Sequence, residues 1–528
     1  MLFNSLTFIL LFLPVALAGY YGLALLGGRW SALWLVGVSF LFYCWWAAWL
    51  VLLLGGSIAF NFTCGALILR AKEKPSLQRA LLFLGVGGDL ACLIYYKYFF
   101  ALLNWLGFHG WMHLAQPYDV VLPIGISFFT FTQIGYLVDC KGGIVKSSRP
   151  LDYCLFVTFF PHLIAGPILH HREMMPQFAN PETFRFRWES VGPGVALFCI
   201  GLVKKVVVAD SFIETVTDAF GARHGLAFMP AWDGILSYSL QLYFDFSGYS
   251  DMACGLALLF GMRFPANFNS PYRAASIIDY WQRFHMTLTR YITLYIYNPV
   301  ALWVSRQRAA RKLSIARAAI ATPDGFISMI VLPTFLTMAL AGVWHGAGLQ
   351  FLIFGLLHGA YLTINHAWRS FGPRGPDGTL HPVKAGLAHV GKIALTYCGV
   401  LVAQVFFRAS SVYGAVRLLK GMVGFYGLSA PPTINDVTPG VGISSDLAFF
   451  LAVTHGIALV AGFAVVWTMP NSLQLLSRYR PTLSDIRPGS PISFECRPTI
   501  AWGIALGLAG ALALLEVTGM TEFLYFRF

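Results

Sequence analysis

The chain has 528 residues, of which 57% are hydrophobic and only 11% charged. A soluble domain carries roughly 45–50% apolar and about 25% charged residues, so this composition excludes a soluble globular protein and indicates a polytopic membrane protein. The net charge of +13, from 36 basic and 23 acidic residues, gathers in short loops between apolar runs. That is the positive-inside pattern, and it sets nucleic acid aside as a partner.

The opening "MLFNSLTFILLFLPVALAGYYGLALLGG" contains an Ala-Leu-Ala that imitates a signal cleavage site. It has no basic n-region, since the first basic residue is Arg29, and the apolar run continues past the mimic. It is expected to be an uncleaved first span. A helix needs about 20 apolar residues to cross the bilayer. Candidate spans follow near 6–27, 31–48, 50–69, 79–105, 121–138, 151–170, 190–209, 230–246, 252–262, 276–298, 326–344, 349–368, 388–407, 446–468 and 499–518. Several are short or broken by Gly and Pro, so about 11–13 true spans are expected, with re-entrant or interfacial helices lining protein or a cavity. Residues 1–528 carry no internal repeat and read as a single integral-membrane domain.

The basic loops "RAKEKPSLQR", "SRQRAARKLSIAR" and "RYRPTLSDIRPGSPISFECR" are expected on the cytoplasmic side, which puts both termini outside. Nine scattered cysteines form no C-x-x-C pair, so neither a metal nor a redox centre is expected.

Chemistry is sought among the ionisable residues inside apolar runs, which are costly unless they face protein or a water-filled cavity. His345 in "AGVWHGAG" is the only one between Asp324 and His358. Trp344 precedes it, and the flanking glycines are expected to let backbone approach a ligand. A neutral imidazole can take a proton from a hydroxyl near pH 7, which ester formation requires. In "DYWQRFHMTLTRYITLYIYNP", helical spacing places Gln282, His285, Thr289 and Thr293 on one polar stripe, opposite an apolar stripe of Trp281, Phe284 and Leu288. In "YFDFSGYSDMACG", Asp245 and Asp251 flank Gly248 in what reads as a broken, kinked helix. Their spacing points them to different faces, so they are read as supporting groups and not as a catalytic pair. "FPANFNSPYR" reads as a rigid loop. "LPIGISFFTFTQIGYLVD" and "FFPHLIAGPI" read as broken or re-entrant, with His162 in a packing role.

These stretches, with "FPANFNSPYRAASIIDYWQRFHMTLTRYI" and "GVWHGAG", resemble the membrane-bound O-acyltransferase (MBOAT) family over nearly the whole chain. The match is to its bacterial alginate O-acetylation branch. The resemblance implies an all-α fold, a ring of helices around a central tunnel. It also implies acyl transfer from a thioester to a hydroxyl, with His345 as the catalytic histidine and His285 as the second family histidine. It implies acetyl-CoA as the donor substrate, no bound cofactor, a bacterial inner-membrane location and a separate periplasmic acetyltransferase that decorates an exopolysaccharide. The terminal "FLYFRF" resembles a motif of acyl relays in D-alanylation systems, where a tyrosine, here Tyr525, holds the acyl group. An interfacial aromatic anchor explains Tyr525 equally well. The rival readings are D-alanyl transfer from a carrier protein to an envelope polymer and, from another class, a polysaccharide transporter. Against the transporter, the chain lacks the paired half-chain repeat that many transporters carry.

Overall fold

The computed structural model describes residues 1–46, 48–106, 123–372, 385–428, 445–484, 486, 490–517 and 524. Within them the chain is helical, with no strand. The N-terminal layer holds α1 (Leu13–Ala24), α2 (Gly28–Cys44), α3 (Leu50–Arg70), α4 (Pro75–Ile94) and α5 (Ile126–Lys141). A short amphipathic helix, α6 (His171–Ala179), leads to α7 (Trp188–Val203) and the long α8 (Phe228–Leu259). After α9 (Met286–Ile292) come the hairpin α10 (Leu332–His345) and α11 (Leu349–Phe371), then α12 (Ala385–Arg408), α13 (Ser445–Thr468) and α14 (Ile500–Leu515).

Among the described residues, five helical stretches are long and apolar enough to cross a bilayer: Leu50–Arg70, Pro75–Phe99, Trp188–Gly221, Pro323–His345 and Gly386–Arg408. Three shorter apolar helices, Phe8–Ala24, Val453–Thr468 and Ile500–Leu515, accompany them. The protein is therefore an all-α, multi-pass membrane protein. Many of the spans expected from hydropathy are short or interrupted pieces, which is what a bundle enclosing non-helical backbone requires.

The bundle is organised around α8. Every residue from Ser237 to Leu259 is buried, so this helix meets protein on all sides. It packs along α7 and also contacts α12 and α13, while α14 packs on the far face of α7. The α7–α8 contact is possible because glycines meet across it. A Cβ on Gly201 would sit 2.5 Å from the Gly248 carbonyl oxygen, and one on Gly248 would sit 2.7 Å from the Gly201 carbonyl oxygen. Gly194 and Gly255 oppose each other in the same way one layer on. Small residues that let two backbones approach are the usual seam between helices in lipid.

This overturns the expected break in "YFDFSGYSDMACG". The helix runs straight through, and the expected spans 230–246 and 252–262 are one element. Gly248 is a packing glycine, not a hinge. The opposite correction applies to 276–298. A helix over Ile277–Trp281 stops, His285 adopts a left-handed conformation (φ 45, ψ 51), and α9 starts anew. The Gln282–His285–Thr289–Thr293 stripe of one continuous helix therefore does not form. Likewise α5 is an unbroken helix from Ile126, whereas "FFPHLIAGPI" is broken as expected, with one helical turn over Phe160–Leu163.

The glycine seam yields a stability prediction. Gly201→Ala forces backbone against backbone and should destabilise the protein by about 1–3 kcal/mol, as overpacking does. Gly87→Ala, on α4 where an added Cβ meets nothing within 4 Å, should be neutral or stabilising by about 0.5–1 kcal/mol. Thermal denaturation of both variants in detergent or nanodiscs checks the contrast.

Candidate active site

The two histidines singled out in the sequence line one cavity. Its walls are Leu242 and Phe246 of α8, Tyr280, Trp281, Phe284, His285 and Leu288 of the α9 region, His345 of α10, Phe354 of α11, and Gln404 and Phe407 of α12. The cavity volume is about 20 Å³, close to the space of one water molecule. Phe246 stands edge-on to His285 at 4.8 Å between ring centroids, and Phe407 edge-on to His345 at 4.9 Å. Both imidazoles are buried, at 1% and 6% exposure.

His285 is held by a hydrogen-bond hub. Its Nδ1 lies 3.0 Å from Asn267 Oδ1, and the same oxygen accepts from the Thr287 hydroxyl at 2.8 Å and the Thr287 backbone N–H at 3.3 Å. A backbone N–H can only donate, so that atom of Asn267 is the oxygen, and the neighbouring His285 Nδ1 must carry its proton. In the neutral ring the lone pair then sits on Nε2. The Asn267 amide nitrogen donates in turn to Ser250 Oγ on α8 at 3.1 Å. Thr287 Oγ1 accepts from the Ile168 N–H at 3.0 Å. This hub explains how a non-glycine residue is kept in the left-handed region, which costs about 1–3 kcal/mol and is tolerated only where the surroundings fix it.

His345 is the last residue of α10. The carbonyls of that final turn are capped from the π-helical turn Tyr95–Phe99 that continues α4: Lys97 Nζ donates to the Trp344 oxygen at 2.6 Å, and the Tyr98 hydroxyl donates to the Val343 oxygen at 2.8 Å. Orphan carbonyls at a helix C-terminus demand such partners, and a cation is favoured there. Trp344 stacks on Phe131 at 5.0 Å, which locks the turn from the other side. The flanking glycines have a packing role. A Cβ on Gly346 would strike the Phe351 ring at 2.3 Å, and one on Gly342 the Phe351 carbonyl oxygen at 2.4 Å, so they let α10 fold back on α11.

The remaining candidates are placed elsewhere. Gln282 is exposed and Thr289 half-buried, and neither lines the cavity. Asp251 is tied to Lys204 and to Ser472, each at 2.6 Å. Asp245 pairs with Lys205 at 2.7 Å. His162 bonds the Phe156 carbonyl at 2.8 Å, the packing role expected of it. Tyr525, with Phe523 and Phe528, lies outside the described residues. Arg308, from the basic loop "SRQRAARKLSIAR", is buried and engaged by Asp324 at 2.7 Å. Among the described residues no three His, Cys, Asp or Glu side chains converge as a metal site.

Four contributors went unnoticed in the sequence. Lys97 was findable, as a lone cation in the apolar "LIYYKYFFALL". His358 receives the Trp281 indole N–H at 3.2 Å and so fixes one cavity wall. Asn267 sat unremarked in a loop that does prove buried and irregular. Phe407 carried no signal beyond an apolar run.

A multi-pass helical bundle with two buried histidines on one interior cavity describes a membrane-embedded enzyme, and comparison with known proteins gives its class. The model of the membrane-bound O-acyltransferase family matches residues 140–316. A peptidoglycan O-acetyltransferase of Helicobacter pylori is 37% identical over 459 residues, 81% of each chain. A probable alginate O-acetylase of Pseudomonas aeruginosa is 36% identical over 429 residues, 80% of this chain and 75% of that one. A teichoic acid D-alanyltransferase of Bacillus subtilis is 27% identical over 248 residues, 47% of this chain and 60% of that one. The chain belongs to the membrane-bound O-acyltransferase family and is an acyltransferase.

Asn267→Leu removes the acceptor shared by His285 and Thr287. It should lower acyl transfer by about 10²-fold or more, the range of a positioned acid–base group. It should also destabilise the protein by about 1–3 kcal/mol for buried donors left unmet. Turnover and thermal unfolding measured on the same preparation check both.

Proposed function

We propose that the protein moves an acetyl group from a cytoplasmic thioester, acetyl-CoA, across the bacterial inner membrane for O-acetylation of an extracytoplasmic polysaccharide such as alginate. A periplasmic partner acetyltransferase completes the transfer, and both termini of this chain lie on the partner's side. The observation that carries this reading is the meeting of His285 and His345 on one aromatic-walled cavity inside the bundle. Supporting it, the two acetylating relatives align over about four-fifths of the chain, whereas the D-alanyltransferase aligns over less than half.

In this mechanism His345 takes the proton of the acceptor hydroxyl as its oxygen bonds to the acetyl carbonyl carbon. The carbon–sulfur bond breaks, and the proton returns from the imidazolium to the departing sulfur, so ester and free thiol leave with atoms balanced. The Asn267 hub suggests the role of His285: with Nδ1–H committed to Asn267, Nε2 is an acceptor and suits orienting a donor, namely the hydroxyl that His345 deprotonates. The aromatic walls limit the water that could hydrolyse the thioester. The first hydroxyl acylated is that of Tyr525, since a phenol leaves more readily than an alkyl alcohol and keeps the acetyl group activated for the partner.

The test is purified protein in lipid vesicles supplied with acetyl-CoA, following free thiol and the mass of the C-terminal peptide. His345→Ala should cut thiol release by about 10²–10⁴-fold while the protein stays folded, and the wild type should gain one acetyl on Tyr525. Thiol release without that adduct removes the relay and keeps the acyltransferase. Release that ignores His345→Ala overturns the mechanism.

A further inference from the structure

α4 carries a buried carboxyl group that the chemistry above does not use. Asp89 is 4% exposed and lies within the membrane-crossing stretch Pro75–Phe99. Its partner is Asn61 of α3, which is fully buried. Asn61 Nδ2 lies 2.7 Å from Asp89 Oδ1 and 3.1 Å from the Ser57 carbonyl oxygen. A backbone carbonyl only accepts, so that atom of Asn61 is its nitrogen, and both of its hydrogens are spent. Two buried oxygens are left over, Asn61 Oδ1 and Asp89 Oδ2, and neither meets a hydrogen-bond partner among the described residues. No Lys, Arg or His among them forms an ion pair with Asp89.

The leftover atoms belong to the same two planar groups that already share one bond. As a carboxylate, Asp89 could only accept, and both oxygens would stay unmet inside a bilayer, where a lone charge or an unmet polar group is costly. One proton on Asp89 Oδ2 turns that oxygen into a donor to Asn61 Oδ1 and meets both needs. The packing shows what such a pair would fix. Only Gly85, Asp89 and Leu93 of α4 are buried, a single stripe at four-residue spacing, and Asp89 is its one polar side chain. A Cβ on Gly85 would lie 2.5 Å from Leu137 of α5, and one on Gly88 2.8 Å from the Phe60 ring of α3, so the helices close tightly around the pair. About two turns further on, the same stretch presents Lys97 and Tyr98, which cap the turn bearing His345.

We propose that Asp89 is a neutral carboxylic acid bonded twice to Asn61, and that this acid–amide pair is a positioning site that sets α4 so that Lys97 and Tyr98 reach the end of the catalytic helix. The proton stays on Asp89 Oδ2 and is donated to Asn61 Oδ1. Apolar contacts along the stripe tolerate small turns of the helix, whereas two directional bonds do not. The link to turnover rests on the acyltransferase reading of the cavity, and the protonation of Asp89 does not.

The test has two independent readouts on the full-length protein in nanodiscs at neutral pH. Infrared difference spectra, wild type minus Asp89→Asn, should show the carbonyl band of a protonated carboxylic acid, with or without sodium chloride. Asp89→Asn can donate to Asn61 Oδ1 and accept from Asn61 Nδ2, so it preserves the pair, and kcat for thiol release from acetyl-CoA should stay within about threefold of wild type. Asn61→Leu/Asp89→Leu removes both polar groups together and should still fold, because no partner of the pair is left unmet. Its kcat should fall about tenfold or more, the equivalent of one buried hydrogen bond, with KM for acetyl-CoA within about twofold. Lys97→Met should then cost much less in that double variant than in the wild type, since residues acting through one link are not additive. A difference spectrum without the acid band, a band that appears only when sodium is withdrawn, or full turnover by Asn61→Leu/Asp89→Leu overturns the proposal. An acid band in a wild type that releases no thiol leaves the neutral pair standing and overturns the acetyl-CoA reading instead.

Discussion

Where lipid tails stand in for water, every polar group inside the bundle has to find its partner in protein. That constraint shapes α8 more than any other element. Ser239 meets the Tyr397 hydroxyl at 2.6 Å, and its carbonyl takes the Tyr272 hydroxyl at 2.8 Å. Asp245 is matched by Lys205 and Leu524, Ser250 by Asn267, and Asp251 by Lys204 and Ser472. Each pairing ties a distant stretch of chain to the central helix, so the polar residues of "YFDFSGYSDMACG" act as the addresses by which loops and helices are assembled around it. One wall of the cavity shared by His285 and His345 is set in this way: Ser250 holds Asn267, and Asn267 holds His285.

How much of this the sequence disclosed depends on the kind of signal. His345 stood out because a titratable ring in a long apolar run has few uses, and the resemblance to a known family pointed to the same residue. Membrane class and helical content followed from composition. What failed was the assignment of helix breaks. Glycine weakens an isolated helix, so Gly248 read as a kink, yet inside lipid a glycine opposite another glycine is an attractive seam and the helix continues. Conversely, nothing in "DYWQRFHMTLTRYI" disfavours a helix, and the break at His285 is imposed from outside by the Asn267 oxygen. Tertiary hydrogen bonds overrode local propensity in both cases, and a single sequence does not show them. The convergence of His285 with His345 is of the same kind. Lys97 was legible in principle, but its acceptor, the Trp344 carbonyl, is a backbone atom, which no sequence pattern marks.

The same logic distinguishes the two histidines. His345 is fixed through backbone: its helix ends at Gly346, and that end is capped by Lys97 and Tyr98. His285 is fixed through its side chain, and the fixing consumes one ring nitrogen. A group whose Nδ1 is committed to a hub is oriented and can exchange a proton only at Nε2. That commitment is the physical reason His285 has the orienting role in the proposed mechanism.

The size of the cavity bears on which acyl group suits it. About 20 Å³ lies among Phe246, Phe284, Phe354, Phe407 and Trp281, close to the space of one water molecule. These rings are not loosely held. Trp281 is bonded to His358, Phe407 packs edge-on to Phe351 at 5.7 Å and against Phe354 at 4.9 Å, and Phe268 stands against both Phe246 and Phe284. Close-packed interiors resist added methylenes at a cost of about 1–3 kcal/mol in a well-packed core, so each further carbon on the acyl chain is opposed by an interlocked ring cluster. In the proposed reaction these rings, each supported by its neighbours, would favour a short acyl group.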